Sequence, residues 1–202
     1  MQHDSSSNVV IFAPTQHPML YSLSQYLEAE AGEIENRQFP DGESYLKVDT
    51  DVKEKQCIIL MDLTDPDKKY LPLIFLANTL RELGAESVGL VAPYLCYMRQ
   101  DKRFIEGEAI TSKIFAHAIS QHVDWLVTVD PHLHRYESLS EIYHIPTQVV
   151  RAAPAVANWL KNETDIVLVG PDSESEQWVS RIAAYSGHPY ICLLYTSPSP
   201  RD

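Results

Sequence analysis

Five short apolar runs, at residues 9–13, 56–61, 87–94, 125–129 and 165–169, recur along the chain. Most of their length is Val, Ile, Leu and small residues without polar alternation, the mark of strands buried on both faces. Parallel neighbours of that kind need a crossover between them. Helical spacing over 70–83, 111–122, 152–161 and 177–185 supplies the crossovers. The fold class is therefore α/β, a mostly parallel sheet with helices on both faces. In such sheets ligands bind beyond the carboxyl ends of the strands, so the residues following each run are the ones to read.

Between the first two runs a helix is expected over 17–31, with Leu20, Leu23, Tyr26 and Leu27 on one face. Two further β-like segments, 34–39 and the alternating 44–48, flank Phe39-Pro40-Asp41-Gly42-Glu43. Proline presets φ and glycine accepts positive φ, so this is a hairpin turn with an aromatic ring and two carboxylates at its tip. Past the last helix, residues 190–194 begin another strand.

Three strand ends carry polar clusters. Arg99-Gln100-Asp101-Lys102-Arg103 follows the third run, in a chain whose formal net charge is -12. Such local cations suit an anionic ligand such as a nucleotide phosphate, although a solvated charged loop reads the same way. Asp130-Pro131-His132-Leu133-His134 and Gly170-Pro171-Asp172 close the fourth and fifth runs. A carboxylate and an imidazole, with water completing the shell, suit Mg²⁺ or Mn²⁺ shared with phosphates. Taken singly, His132 also reads as a hydrogen-bonded strand-end histidine, and Asp172 as the N-cap of the next helix. His132-x-His134 is also how many metal-dependent hydrolases begin a Zn²⁺ site. That reading needs ligands further on, and only His144 and His188 follow.

The acidic balance disfavours non-specific contact with nucleic acid. Cys57, Cys96 and Cys192 form no CxxC pair, which suits a reducing cytoplasm. No basic segment precedes an apolar stretch at the amino terminus, and no apolar run approaches the roughly 20 residues of a membrane helix. A cytoplasmic chain with no membrane contact is the expectation.

Phe39-Pro-Asp-Gly-Glu43, Arg99-Gln-Asp-Lys102, Asp130-Pro-His132 and Gly170-Pro-Asp172 occur in this order and at separations that resemble one family. The chain is similar to ribose-phosphate diphosphokinase (PRPP synthetase), and more closely to its archaeal-type branch, over about residues 8–191. The branch shares Asp-Pro-His-Leu-His-Arg and Gly-Pro-Asp-x-Glu-Ser-Glu-Gln-Trp. The resemblance implies a phosphoribosyltransferase-like fold and transfer of diphosphate from ATP to ribose 5-phosphate, with Mg²⁺. It implies that Phe39 stacks on adenine, with Asp41, Gly42 and Glu43 beside it. Arg99 and Gln100 would hold the nucleotide from the other side, with Asp101 and Lys102 in the same loop. His132 and Asp172 would contact Mg²⁺. Because the family's hairpin comes from a neighbouring subunit, a homo-oligomer is implied. Diphosphoryl transfer needs positioning and charge neutralisation more than covalent help, which agrees with this residue set.

The resemblance also sets domain limits: a first phosphoribosyltransferase-like domain at 8–149, and the start of a second at 150–192. No Asp-Asp pair, of the kind that cradles ribose 5-phosphate in the family, occurs anywhere in the sequence. Aligned by spacing, the family's catalytic lysine falls at Tyr195. Residues 193–202 resemble a translated sequencing-adapter tail; a Ser/Pro-rich disordered terminus is the alternative. The expectation is a truncated chain without activity. A regulatory homologue that assembles with an active enzyme without catalysing is the alternative.

Overall fold

The computed structural model describes residues 7–173 and 175–193. They divide into two compact units, one ending at Val150 and the other beginning at Arg151.

The first unit is built on a parallel sheet. Its strands are β1 (Val9–Phe12), β2 (Glu30–Ala31), β5 (Gln56–Leu60), β6 (Ser87–Ala92), β7 (Trp125–Val129) and β8 (Thr147–Val150). They lie in the order β2-β1-β5-β6-β7-β8, and every pairing is parallel. The period of two sorts each central strand between two cores. Val10, Phe12, Cys57 and Ile59 face one cluster, together with Leu73, Leu76 and Leu80 of helix α2 (Pro66–Glu82) and Phe115 and Ile119 of helix α3 (Thr111–Ser120). Ile11, Ile58 and Leu60 face the other, where Leu20 and Leu23 of helix α1 (Leu20–Tyr26) pack. Each fully buried Leu, Ile or Phe contributes about 1.5–3 kcal/mol, so this two-sided burial is what fixes strand register.

Strands β3 (Ile34–Gln38) and β4 (Ser44–Val48) form the expected antiparallel hairpin, with Arg37 opposite Tyr45 and Glu35 opposite Lys47. One hairpin face, Ile34, Leu46 and Val48, packs against the main core. Helix α2 stops where expected, Gly84 following it with φ of 92°.

Some boundaries differ from the sequence reading. The helix expected over 17–31 lasts only from Leu20 to Tyr26. Glu28 then takes a left-handed φ of 51°, and Glu30–Ala31 pair with β1 as an edge strand. Edge hydrogen bonds to Val10 and Ile11 thus override the helical spacing. Helix α2 starts at Pro66 rather than at residue 70, since proline is tolerated in the first turn. Helix α3 ends at Ser120 rather than at 122.

The second unit holds helix α4 (Ala153–Leu160), strand β9 (Leu168–Gly170), helix α5 (Glu176–Ser186) and strand β10 (Tyr190–Cys192). Strands β9 and β10 pair in parallel. The strand expected over 165–169 begins only at Leu168, and Asp165 sits at a left-handed φ of 59°. The reading of Tyr195 lies outside the described residues. No described helix is long and apolar enough to cross a membrane.

Candidate nucleotide and metal site

Strands β6 and β7 are adjacent and in register, Ala92 opposite Thr128, so the loops leaving their carboxyl ends start side by side. Each loop opens on a strained residue. Tyr97, two positions before Arg99, has φ of 56°, and Asp130, two before His132, has φ of 35°. Non-glycine residues at positive φ persist where their surroundings impose them, and they gather at functional sites.

The loop after β6 is pinned from below. Leu95, Cys96 and Met98 are buried in the main core. Tyr94 donates its N–H to Asp62 Oδ1 (3.1 Å) and its carbonyl accepts from Leu63 N–H (3.0 Å). Further on, the Gln100 carbonyl accepts from Ser112 N–H (3.3 Å) and Oγ (2.9 Å), and the Gln100 side chain accepts from Thr111 Oγ1 (3.0 Å). The first turn of α3 therefore holds the loop in place. Arg99, Gln100 and Lys102 face solvent. Among the described residues neither Arg99 nor Lys102 has an ion-pair partner. In a chain of net charge -12, two cations kept apart from carboxylates leave a local positive field for an anion.

Asp101 is placed differently from its neighbours. Its side chain is 0% exposed, and Arg135 Nη1 donates to both of its carboxylate oxygens, at 2.7 and 3.0 Å. Tyr136 Oη donates to the Asp101 carbonyl (3.1 Å). Lys102 Nζ (4.8 Å) and the Arg135 guanidinium (5.1 Å) both lie over the Phe104 ring. Arg135 and Tyr136 were not singled out from sequence. Arg135 stands in the Asp-Pro-His-Leu-His-Arg motif, yet no local pattern links it to an aspartate 34 residues earlier.

His132 is half-buried and its ring stacks with that of His134, centroids 5.9 Å apart and 16° between planes. A second strand-end pair was also missed. Met19 N–H donates to His17 Nδ1 (3.2 Å), and the other ring nitrogen, Nε2, lies 3.3 Å from Asp62 Oδ2. It ties the loop after β1 to the end of β5.

At the hairpin, Phe39 and Glu43 exchange one ladder bond, Phe39 N–H to the Glu43 carbonyl (2.8 Å). Gly42 N–H donates to the Phe39 carbonyl (2.9 Å), with φ of 92° at Gly42, so the turn needs glycine there. Asp41 Oδ1 accepts from Glu43 N–H (3.2 Å). The Phe39 ring remains 40% exposed at the tip.

Asp172 belongs to the second unit. It is not the N-cap of α5, a position held by Ser175. Its Oδ1 accepts from Ser175 N–H (2.8 Å), and its carbonyl accepts from Ser175 Oγ (2.6 Å) and Cys192 Sγ (2.7 Å). Among the described residues no three His, Cys, Asp or Glu side chains converge as a metal cage. Imidazole and carboxylate donors, with water and phosphate oxygens completing the shell, suit Mg²⁺. Burial pushes the thiols of Cys57 and Cys96 up to about 11 and about 12, which removes them as nucleophiles at neutral pH.

Known proteins resemble this chain over most of its length. A profile of the N-terminal domain of ribose phosphate pyrophosphokinase matches residues 9–122. The chain is 34% identical over 176 residues to a ribose-phosphate pyrophosphokinase of Saccharolobus solfataricus, covering 84% of this chain and 58% of that protein. It is 34% identical over 173 residues to the one of Methanobrevibacter smithii, covering 80% and 57%. A putative ribose-phosphate pyrophosphokinase 2 of Listeria monocytogenes is 25% identical over 193 residues, covering 93% and 61%. The chain thus spans less than two thirds of the length of these relatives. Its fold superimposes on the crystal structure of phosphoribosylpyrophosphate synthetase from Mycobacterium smegmatis with a TM-score of 0.80 and 22% identity, over 94% of this chain and 65% of that one.

Proposed function

The chain belongs to the ribose-phosphate pyrophosphokinase family, and from that premise we propose that it forms the ATP-binding part of an enzyme transferring diphosphate from ATP to ribose 5-phosphate. Phe39 stacks on adenine, and Asp41 and Glu43 accept hydrogen bonds near it, with Gly42 shaping the turn. Arg99, Gln100 and Lys102 take the other side of the nucleotide. Arginine can pair with phosphate through two N–H groups and also stack on a base, which a lysine cannot do. The hairpin of one copy serves the Arg99 loop of a second, so the working form is a homo-oligomer.

His132 and Asp172 are the proposed Mg²⁺ contacts. The ion would neutralise charge on the diphosphoryl group being transferred. The protein's own part is to fix the phosphates against the β6 loop and to hold the base between ring and guanidinium. The observation that supports this reading most is that Arg99 and Lys102, which have no ion-pair partner among the described residues, and the His132 turn follow the ends of adjacent parallel strands. Localisation in the cytoplasm belongs to the same proposal.

Calorimetry with ATP and Mg²⁺ tests it. Phe39→Ala weakens binding by about 1–3 kcal/mol, the worth of one base–aromatic stack. His132→Ala and Asp172→Ala each lower the Mg²⁺ dependence of the affinity. Unchanged affinity in the Phe39 variant, or full Mg²⁺ dependence in both others, overturns the assignment.

A further inference from the structure

Asp101 sits in the middle of the loop expected to touch nucleotide, yet its carboxylate is turned wholly inward. Gln100 and Lys102 on either side face solvent. A buried carboxylate is tolerable only when paired and hydrogen-bonded, and here Arg135 meets both oxygens. Arg135 lies three positions after His132, on the loop that leaves the neighbouring strand. Its guanidinium also covers the Phe104 ring (5.1 Å), against which Lys102 Nζ rests (4.8 Å). Tyr136, next in sequence, donates to the Asp101 carbonyl (3.1 Å), and its hydroxyl lies 2.9 Å from Ser112 Oγ at the start of α3.

We infer that Asp101 and Arg135 are positioning residues: one ion pair locks the nucleotide loop to the His132 turn and thereby sets the spacing between phosphate-binding cations and metal-side imidazole. This rests on the reading of the site as an ATP site. It assigns Asp101 no contact with nucleotide. It gives Arg135 a role that neither its exposure nor its motif would suggest. Asp101 acts as a peg: turning its charge inward sends Arg99 and Lys102 outward, toward ligand. Replacing either member releases both loops, because each is the other's anchor.

The test uses the full chain with Asp101→Asn, Arg135→Met, the double variant and Arg135→Lys. Amide hydrogen exchange is followed over 99–108 and 130–136, and MgATP is titrated by calorimetry. Each single variant speeds exchange in both segments, the unsubstituted one included, and weakens MgATP about tenfold, the scale of one buried charged contact. The double variant weakens it no further, since residues acting as one unit are non-additive. Arg135→Lys, which keeps a charge for Asp101, recovers part of the affinity, as a loss of folding alone would not. Exchange confined to the substituted segment overturns the proposal. So do losses that multiply to about a hundredfold in the double variant, because Asp101 would then contact the ligand independently of Arg135. A wild-type chain that binds no MgATP defeats the nucleotide reading instead, while exchange still decides whether the pair is the lock.

Discussion

The Arg37 guanidinium lies over the Phe39 ring, 4.9 Å from its centroid. The alternation of β3 places both on one face, and the cross-strand partner of Arg37 is Tyr45, whose ring it also covers at 4.2 Å. Tyr45 in turn meets Phe39 edge-on, centroids 5.8 Å apart. The ring at the hairpin tip is therefore held on one side and open on the other. Arg37→Ala should loosen it and weaken ATP binding by about 0.5–1 kcal/mol, the value of an exposed cation–π contact. Titration of Arg37→Ala beside Phe39→Ala checks this. An Arg37 loss larger than the Phe39 loss would mean that Arg37 touches nucleotide itself.

Tyr97, at the strained start of the Arg99 loop, donates its hydroxyl to Asp67 of α2. That hydrogen bond, more than desolvation, pushes its pKa up from 10.0 to about 12. A raised folded-state value favours the neutral phenol. Its stabilising contribution is whole below the unfolded value of about 10 and disappears as pH rises through the folded one. Urea unfolding of the wild type and Tyr97→Phe between pH 8 and 12 should show the difference between them shrinking only above pH 10, about where tyrosine ionises. A difference that stays constant across that range would contradict the bond.

Gly89 of β6 has no room for a side chain. A Cβ there would stand 2.0 Å from Cε2 of Trp125, its register partner on β7. Gly89→Ala must displace the indole or part β6 from β7, the two strands that carry the site. The expected cost is about 1–3 kcal/mol, the usual penalty of overpacking. Denaturant unfolding followed by tryptophan emission measures it. Unchanged stability would show that Trp125 can swing aside freely.

Buried runs such as Gln56–Leu60 were legible because their composition alone demands two covered faces. The Pro40-Asp41-Gly42 turn was legible because its backbone chemistry is local. Residues 28–31 misread as helix because pairing with β1, a non-local contact, outweighs spacing. At the site, sequence order could group Arg99 to Lys102 as one loop, but it could not tell an outward side chain from an inward one. The buried carboxylate of Asp101 is met by Arg135, and His17 lies near Asp62, partners far apart in the chain and brought together by the sheet.

The proposed function has two copies sharing one base clamp, and mixing two defective chains tests it. Phe39→Ala lacks the ring and Arg99→Ala lacks the guanidinium, so each alone should bind MgATP weakly. Unfolded together and refolded as an equal mixture, the two should regain wild-type affinity at about a quarter of the sites, by random assortment in a two-fold assembly. Those are the sites that pair a sound hairpin from one copy with a sound loop from the other. Calorimetric titration of the mixture reads the fraction directly. A tight-binding population near that size supports the shared site. A mixture no better than the average of its components would contradict it.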